Sequence, residues 1–100
     1  MKPCYKFRKV TIEKQFAKNE EEFNEIKEAY AKFRALKANI LEVVVGNAEQ
    51  ARLDLGIEIV DLQVCCETML LQLGFDKKGR KELRKLVFDK NNKRGYYDKV

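Results

Sequence analysis

The stretch LGIEIVDLQVCCETMLLQLG, residues 55–74, decides the fold that this sequence predicts. At about 100° per residue its two leading acids, Glu58 and Asp61, lie on one side of a helix, and most of the remaining surface is apolar. A helix with so little polar surface is typical of a central, buried position. Carboxylates buried there cost several kcal/mol unless a cationic side chain or a metal ion compensates them. The stretch therefore predicts a central helix whose acids need a partner.

A second long helix is predicted before this one, from Asn19 to about Val45. Asn19 and Glu22 have the spacing of a capping box, and Gly46 is a suitable stop. Glu22 and Glu25 stand three residues apart and therefore share a face of this helix. Apolar residues recur at every third or fourth position along it: Phe23, Ile26, Tyr30, Phe33, Leu36, Ile40 and Val44.

The central helix is predicted to begin after Asn47 and to end at Gly74. Asp76 then caps a shorter third helix, from about Lys77 to Asn91. The chain is thus predicted to be all-α, with two long helices and a shorter C-terminal one.

Both ends of the chain are basic. Residues 1–18 form a basic N-terminal arm, whose apolar residues fit either a strand-like segment or a short helix. Residues 91–100 form a basic tail with a turn at Gly95. We expect residues 1–100 to be a single domain, because this length is typical of one small domain.

Composition excludes several classes of protein. Hydrophobic residues make up 45% of the chain, too many for a disordered protein. We expect no membrane span, because no window is apolar enough, and no secretory signal at the basic N-terminus. The absence of histidine excludes Ser-His and Cys-His catalysis and histidine metal sites. Three cysteines, of which Cys65 and Cys66 are adjacent on a helix, predict free thiols and a reducing compartment, the cytoplasm.

The net charge of +5 is unevenly distributed. Residues 1–18 carry six basic side chains and one acidic one. Residues 19–61 carry five basic and ten acidic side chains, and residues 62–100 carry ten basic and five acidic ones. A nucleic-acid-binding domain is more simply basic along one face. An acidic centre between basic ends favours carboxylates that collect a cation, close to amines that bind an anion.

Two pairs of acids can converge in such a fold: Glu22 and Glu25 on the first long helix, and Glu58 and Asp61 on the second. Helix axes in contact lie about 8–10 Å apart, so side chains from both can reach a common point. Either pair alone has a simpler interpretation, as a solvated pair on the first helix or as partners of a buried Arg or Lys on the second. Together they favour a site for a hard cation such as Mg²⁺. This ion prefers carboxylate oxygens and often binds the phosphates of a substrate at the same time.

These pairs resemble the motifs of the MazG-like all-α nucleoside triphosphate pyrophosphohydrolases, a superfamily that includes dimeric dUTPases, dCTP pyrophosphatases and phosphoribosyl-ATP pyrophosphatases. EEFNEIKEA, residues 21–29, is similar to their first acidic motif, and residues 55–74 are similar to their second helix. KNNKRGYY, residues 90–97, resembles a closing element common in MazG-like proteins. The resemblance covers roughly residues 19–97, and the basic arm has no counterpart in it.

The resemblance implies hydrolysis of a (d)NTP to a (d)NMP and pyrophosphate, by attack of a metal-activated water on the α-phosphorus. It implies Mg²⁺ as cofactor, with Mn²⁺ as an alternative. By position, the metal ligands are Glu22, Glu25, Glu58 and Asp61. Glu21 is the candidate for the base that orients water, and Glu22 beside it is counted with the catalytic residues as well.

The tail is the predicted site for the phosphates of the substrate. Lys90, Lys93 and Arg94 can meet outer phosphate oxygens, and arginine can do so bidentately. A merely solvated basic end is the alternative. Tyr97, assigned with them to substrate binding, and Tyr96 could equally stack on a base or pack at a subunit interface.

Both long helices carry more apolar surface than a three-helix monomer can cover, which predicts a homo-oligomer, a dimer or a tetramer, with a four-helix core. The resemblance implies the same, with the tail reaching the partner's metal site.

A binding protein is the alternative to an enzyme: a small helical module for nucleic acid or a protein partner that uses the basic termini. The acid pair in the central helix argues against nucleic acid, because a phosphate binder has no use for it without a metal. A non-catalytic relative is a third interpretation, against which the presence of all four acids counts.

Overall fold

The computed structural model describes residues 1–38 and 42–99, without the side chains of residues 42–46. A short 3₁₀ turn, Tyr5–Phe7, precedes three helices: α1, Ile12–Ala38; α2, Glu42–Gln72; and α3, Lys77–Lys93. The described residues contain no strand, so the predicted all-α class, with two long helices and one shorter, is confirmed. Among these residues no helix combines the length and apolarity needed to cross a membrane.

The start of α1 corrects the sequence prediction. The helix begins at Ile12, and its cap is the Thr11 hydroxyl, which accepts a hydrogen bond from the Lys14 backbone N–H at 3.3 Å. Asn19 and Glu22, predicted as a capping box, lie well inside the helix. The second half of the predicted arm 1–18 is therefore the first two turns of α1. Nothing between residues 12 and 18 breaks a helix, and the buried Gln15 stabilises these turns by its contacts with α2.

The end of α1 also differs from the prediction. It ends at Ala38, and α2 begins at Glu42, so Val45 and Gly46 belong to the backbone of α2 rather than to a break between helices. A glycine inside a helix costs only about 1 kcal/mol relative to alanine, which the packing of a 31-residue helix can outweigh. Ile40, predicted on the stripe of the first helix, lies outside the described residues.

The predicted stop after α2 at Gly74 and the predicted turn of the tail at Gly95 are confirmed. Gly74 has φ +94° and Gly95 has φ +74°, the left-handed conformation that glycine adopts at low cost. At the first stop, the N–H of Gly74 bonds to the carbonyl of Leu71 at 3.0 Å, and that of Phe75 bonds to Leu70 at 3.1 Å, the pattern of a Schellman motif. The Asp76 carboxylate then caps α3 by accepting from the Gly79 N–H at 2.7 Å. The third helix ends at Lys93 and not at Asn91.

Helices α1 and α2 form an antiparallel hairpin, since the start of one lies against the end of the other. The Gln15 amide donates to the Cys65 carbonyl at 3.3 Å and accepts from the Gln72 amide at 2.7 Å. This buried polar contact fixes the register of the hairpin.

One buried ion-pair group attaches α3 to α2. Glu67 of α2 accepts from Arg80 Nε at 2.8 Å, and Arg84 Nη1 approaches both of its carboxylate oxygens at 2.8 Å. Within the described residues α3 makes no contact with α1. The position of the third helix therefore depends heavily on Glu67.

The apolar surface of the hairpin is largely uncovered in a single chain. Apart from Pro3, Ala51 is the only buried apolar side chain in the described part of the protein. The central helix exposes Leu53, Ile57, Ile59 and Val60, residues that the sequence predicts to be buried. A single chain therefore does not form the buried core that its pattern of apolar residues predicts.

Candidate functional site

Three of the four predicted metal ligands meet at one point of the hairpin. Ligand oxygens of Glu22 on α1, and of Glu58 and Asp61 on α2, all lie within 4.8 Å of one another. Glu22 is buried, Glu58 is half-buried and Asp61 is exposed. We call these residues, with Glu25, the carboxylate cluster. Antiparallel packing of two helices with acids three residues apart produces this convergence.

Glu25 is the fourth predicted ligand. The pKa of its carboxyl is raised above the ordinary value by the negative charge of Glu22, by partial desolvation and by the charge of Glu58. Glu25 therefore lies close enough to interact with both. The structure brings the two predicted acid pairs together.

The cluster contains polar atoms that the rest of the described chain leaves without a partner. Oε2 of Glu22 and Oε2 of Glu58 are buried and accept no hydrogen bond among the described residues. A buried carboxylate oxygen without a partner is costly, and buried carboxylates normally pair or coordinate a metal ion. The donor set, carboxylate oxygen alone, fits a hard cation such as Mg²⁺ and not a soft one.

Lys18 belongs to the site, and the sequence analysis missed it. Its ammonium lies 2.9 Å from Oε1 of Glu22, one helical turn earlier on α1. The hydrogen bond and the charge of Glu22 raise the pKa of Lys18. The four-residue spacing of Lys18 and Glu22 predicts this contact, but only for a helix that begins before Asn19.

Glu21 and the tail are not brought into the cluster. Glu21 is an exposed neighbour of Glu22 on α1, and its charge acts on Lys18. The contacts of the tail are local: the Tyr97 ring stacks on Phe88 with centroids 5.0 Å apart, and Arg94 lies over the ring of Tyr96. Lys90 and Lys93 lie in the last turn of α3, which does not contact α1 in the described chain.

A pocket of about 490 Å³ opens beside the carboxylate cluster. Its walls come from the part of the N-terminal arm that precedes α1, residues 1–11, and from α1 and α2. Glu22 and Asp61 belong to both the cluster and the pocket. Most of its lining is apolar, with two lysines from α1. The lining residues are Cys4, Phe7, Val10, Lys14, Gln15, Lys18, Glu22, Asp61, Val64, Cys65 and Thr68.

The arm is held in place by hydrogen bonds to α2. The backbone N–H of Cys4 donates to the Thr68 hydroxyl at 2.8 Å, and the Gln72 amide donates to the Phe7 carbonyl at 3.0 Å. Pro3 is buried as well. Nothing in the local sequence indicates where this arm lies, because Thr68 and Gln72 are 64 and 65 positions along the chain from the arm residues that they bind.

The carboxylate cluster, Lys18 and the pocket form one continuous site on the hairpin. The arrangement can hold a cation on carboxylates, an anion near a lysine and an organic group in the adjoining pocket. No protein-family model, no curated protein and no solved structure matches this chain.

Proposed function

We propose that the chain is a Mg²⁺-dependent nucleoside triphosphate pyrophosphohydrolase that converts a (d)NTP and water to a (d)NMP and pyrophosphate. The observation that carries this proposal is the convergence of Glu22, Glu58 and Asp61, with two buried oxygens that accept no hydrogen bond from the described part of the chain. The motif resemblance to MazG-like enzymes supports it, because the same four acids are the ones that the resemblance assigns as ligands.

The residues of the chain divide the chemistry between them. Glu22, Glu25, Glu58 and Asp61 would hold Mg²⁺, or Mn²⁺ in its place. The ion supplies charge neutralisation for the phosphates and acidifies water. Glu21, the exposed neighbour of Glu22 on α1, is the residue that we propose as the base that accepts a proton from the attacking water.

Lys18 fits the role of a phosphate ligand. Its ammonium is already held at the cluster by Glu22, at 2.9 Å, and its side chain is about half exposed. When Glu22 binds a cation, the ammonium is free to turn from the carboxylate to a phosphate oxygen, which it meets as a point charge.

We propose further that the active form is a homo-oligomer, a dimer or a tetramer, in which the hairpins complete a four-helix core. The chain exposes 8139 Å². A compact monomer of 11.8 kDa exposes about 5,900 Å², so roughly 2,200 Å² more than expected is uncovered. Obligate interfaces bury about 2,000–5,000 Å² in total, a range that a two-fold contact of this surface reaches.

An oligomer also gives the tail a role. Lys90, Lys93, Arg94 and Tyr97 lie away from the cluster of their own chain, because α3 does not contact α1 in the described residues. We propose that they meet the triphosphate of a partner chain. The three unpaired thiols, of Cys4, Cys65 and Cys66, support the cytoplasm as the compartment.

The docked arm favours this function over a nucleic-acid-binding module. An arm that binds nucleic acid by its basic and aromatic side chains is expected to be free in the absence of its ligand. Here the backbone of Cys4 and Phe7 is bonded to α2, and the arm walls a pocket.

Release of pyrophosphate from a panel of NTPs and dNTPs, with and without Mg²⁺, tests the proposal. We expect metal-dependent release by the wild type, and a loss of at least about a hundredfold in Asp61→Asn, because one carboxylate ligand is replaced by a neutral amide. Glu82→Gln is the matched control, since this exposed acid of α3 lies on a helix that does not contact α1. Equal activity of Asp61→Asn and the wild type would contradict the metal assignment.

A further inference from the structure

We infer that the pocket walled by the N-terminal arm binds the nucleoside part of the triphosphate, its base and sugar. This inference rests on the proposed function, which puts the phosphates at the carboxylate cluster. Glu22 and Asp61 belong to both the cluster and the pocket wall. A molecule whose anionic end is bound at the cluster therefore has its organic end beside or inside the pocket.

The size and the lining of the pocket fit this occupant. Its volume of about 490 Å³ lies within the range of small-molecule sites, about 300–1,000 Å³. Phe7 and Val10 of the arm and Val64 of α2 line it with apolar surface. Lys14 and Lys18 line the same pocket, and the ammonium of Lys18 contacts Glu22 of the cluster at 2.9 Å. A lining that combines apolar side chains with lysines beside the acids matches a ligand with a planar apolar end and a polyanionic end.

The side-chain hydroxyl and amide that line the pocket, those of Thr68 and Gln15, are committed to hydrogen bonds within the protein. The Thr68 hydroxyl donates to the Val64 carbonyl at 2.8 Å and accepts from the Cys4 N–H at 2.8 Å. The Gln15 amide donates to Asn19 and Cys65 and accepts from Gln72. Neither is available to read the hydrogen-bonding edge of a base. Recognition therefore depends on apolar contact and shape, and we expect KM values for the four standard bases to agree within about tenfold.

Phe7 is the arm residue best suited to test the pocket. Its backbone carbonyl, not its ring, holds the arm to Gln72. Its side chain is 45% exposed, so Phe7→Ala removes a wall without removing an anchor. Tyr5→Ala is a matched control, because Tyr5 belongs to the same 3₁₀ turn, is 50% exposed and does not line the pocket.

The first experiment compares a nucleoside triphosphate with inorganic tripolyphosphate, which has the anionic end alone. We expect Phe7→Ala to raise KM for the nucleotide about tenfold, as for loss of an aromatic contact to a base, and to change KM for tripolyphosphate less than about twofold. Val64→Phe, which fills the pocket from α2, should reproduce this difference. Tyr5→Ala should match the wild type with both substrates. An equal change of both KM values in Phe7→Ala and Val64→Phe would overturn the inference.

The second experiment measures binding without turnover. Saturation-transfer NMR with thymidine and metal-free protein should show contact in the wild type and in Tyr5→Ala, and a loss of most of the signal in Phe7→Ala. Equal signals in all three proteins would overturn the inference. If no triphosphate is hydrolysed while thymidine binds in a Phe7-dependent way, the pocket assignment stands and the proposed function fails. If hydrolysis is Mg²⁺-dependent but insensitive to Phe7 and Val64, the function stands and the pocket assignment fails.

Discussion

Glu22 connects the parts of the candidate site, because it belongs to the carboxylate cluster, lines the pocket and binds the ammonium of Lys18 at 2.9 Å. Its spacing to Glu25 and the matching pair on the next helix were sufficient to predict that carboxylates converge, and the cluster has this composition. The partner Lys18 depended on where α1 begins, which a local capping signal at Asn19 misplaced. Local spacing thus predicts which side chains share a face, and tertiary contacts decide where the helix starts.

Metal binding to the cluster is expected to stabilise the fold. Without a cation the carboxylates of Glu22 and Glu58 repel that of Glu25, as the raised pKa of Glu25 indicates. We expect Mg²⁺ to bind the folded hairpin and not the unfolded chain, so at ten times its Kd it should add about 1.4 kcal/mol to the free energy of unfolding. Thermal denaturation with increasing Mg²⁺, without nucleotide, measures this effect.

Asp61→Asn is the control for that measurement. The variant should melt at or above the midpoint of the metal-free wild type, because one repelling charge is gone, and its midpoint should not respond to Mg²⁺. An identical Mg²⁺ response in Asp61→Asn and the wild type would show that the ion binds elsewhere.

At the scale of the helices, the attachment of α3 depends on a group that the sequence pattern did not reveal. At about 100° per residue Glu67 lies on the side of α2 opposite Glu58, and this spacing indicates no partner for it. The arginines that bind it are 13 and 17 residues later, on a helix whose direction is set by the turn at Gly74. A periodic pattern describes one helix at a time, so it gives no account of an ion pair between two.

The two arginines should contribute very differently to stability. The Arg80 side chain is 3% exposed and that of Arg84 is 51% exposed. Arg80→Met leaves Glu67 buried with one partly solvated partner, and we expect it to cost about 3 kcal/mol. Arg84→Met should cost about 1 kcal/mol or less, because its charge is largely solvated. Urea denaturation of the two variants measures the difference, and equal losses would contradict this account of α3.

Acidic pH should weaken the ion-pair group that Glu67 forms with Arg80 and Arg84. Burial raises the pKa of Glu67, but hydrogen bonds from Arg84 and Arg80 outweigh it, so the pKa lies below its ordinary value of 4.5. The stabilisation is therefore complete above pH 4.5 and is lost as the pH falls through the lowered pKa. Glu67→Gln should be less stable than the wild type at pH 7 and should lose less stability on acidification. A parallel acid dependence of both proteins would assign the effect to other carboxylates.

At the scale of the molecule, the shape of the chain indicates that a single copy does not form a compact core. Its radius of gyration is 17.3 Å, whereas a compact domain of this length has about 13 Å. The apolar stripes that indicated the helices also predicted a core. That core is not formed within one chain, where Pro3 and Ala51 are the only described apolar side chains that are buried. Sequence periodicity shows that a face is to be covered, but not by which chain.

We propose a second copy of the chain as the partner, because a two-fold axis brings the same surface to itself and would cover both faces with one contact. We expect sedimentation equilibrium at micromolar concentration to give a mass of at least twice 11.8 kDa. Ile57→Lys and Val60→Lys, on the exposed apolar face of α2, should dissociate the assembly and lower its stability, because a charge is placed in the contact. Lys99→Glu, at the exposed end of the tail, is the control for a change of charge. A single folded species of 11.8 kDa with full activity would show that one chain suffices, and the proposed contribution of the tail to a partner's site would be wrong.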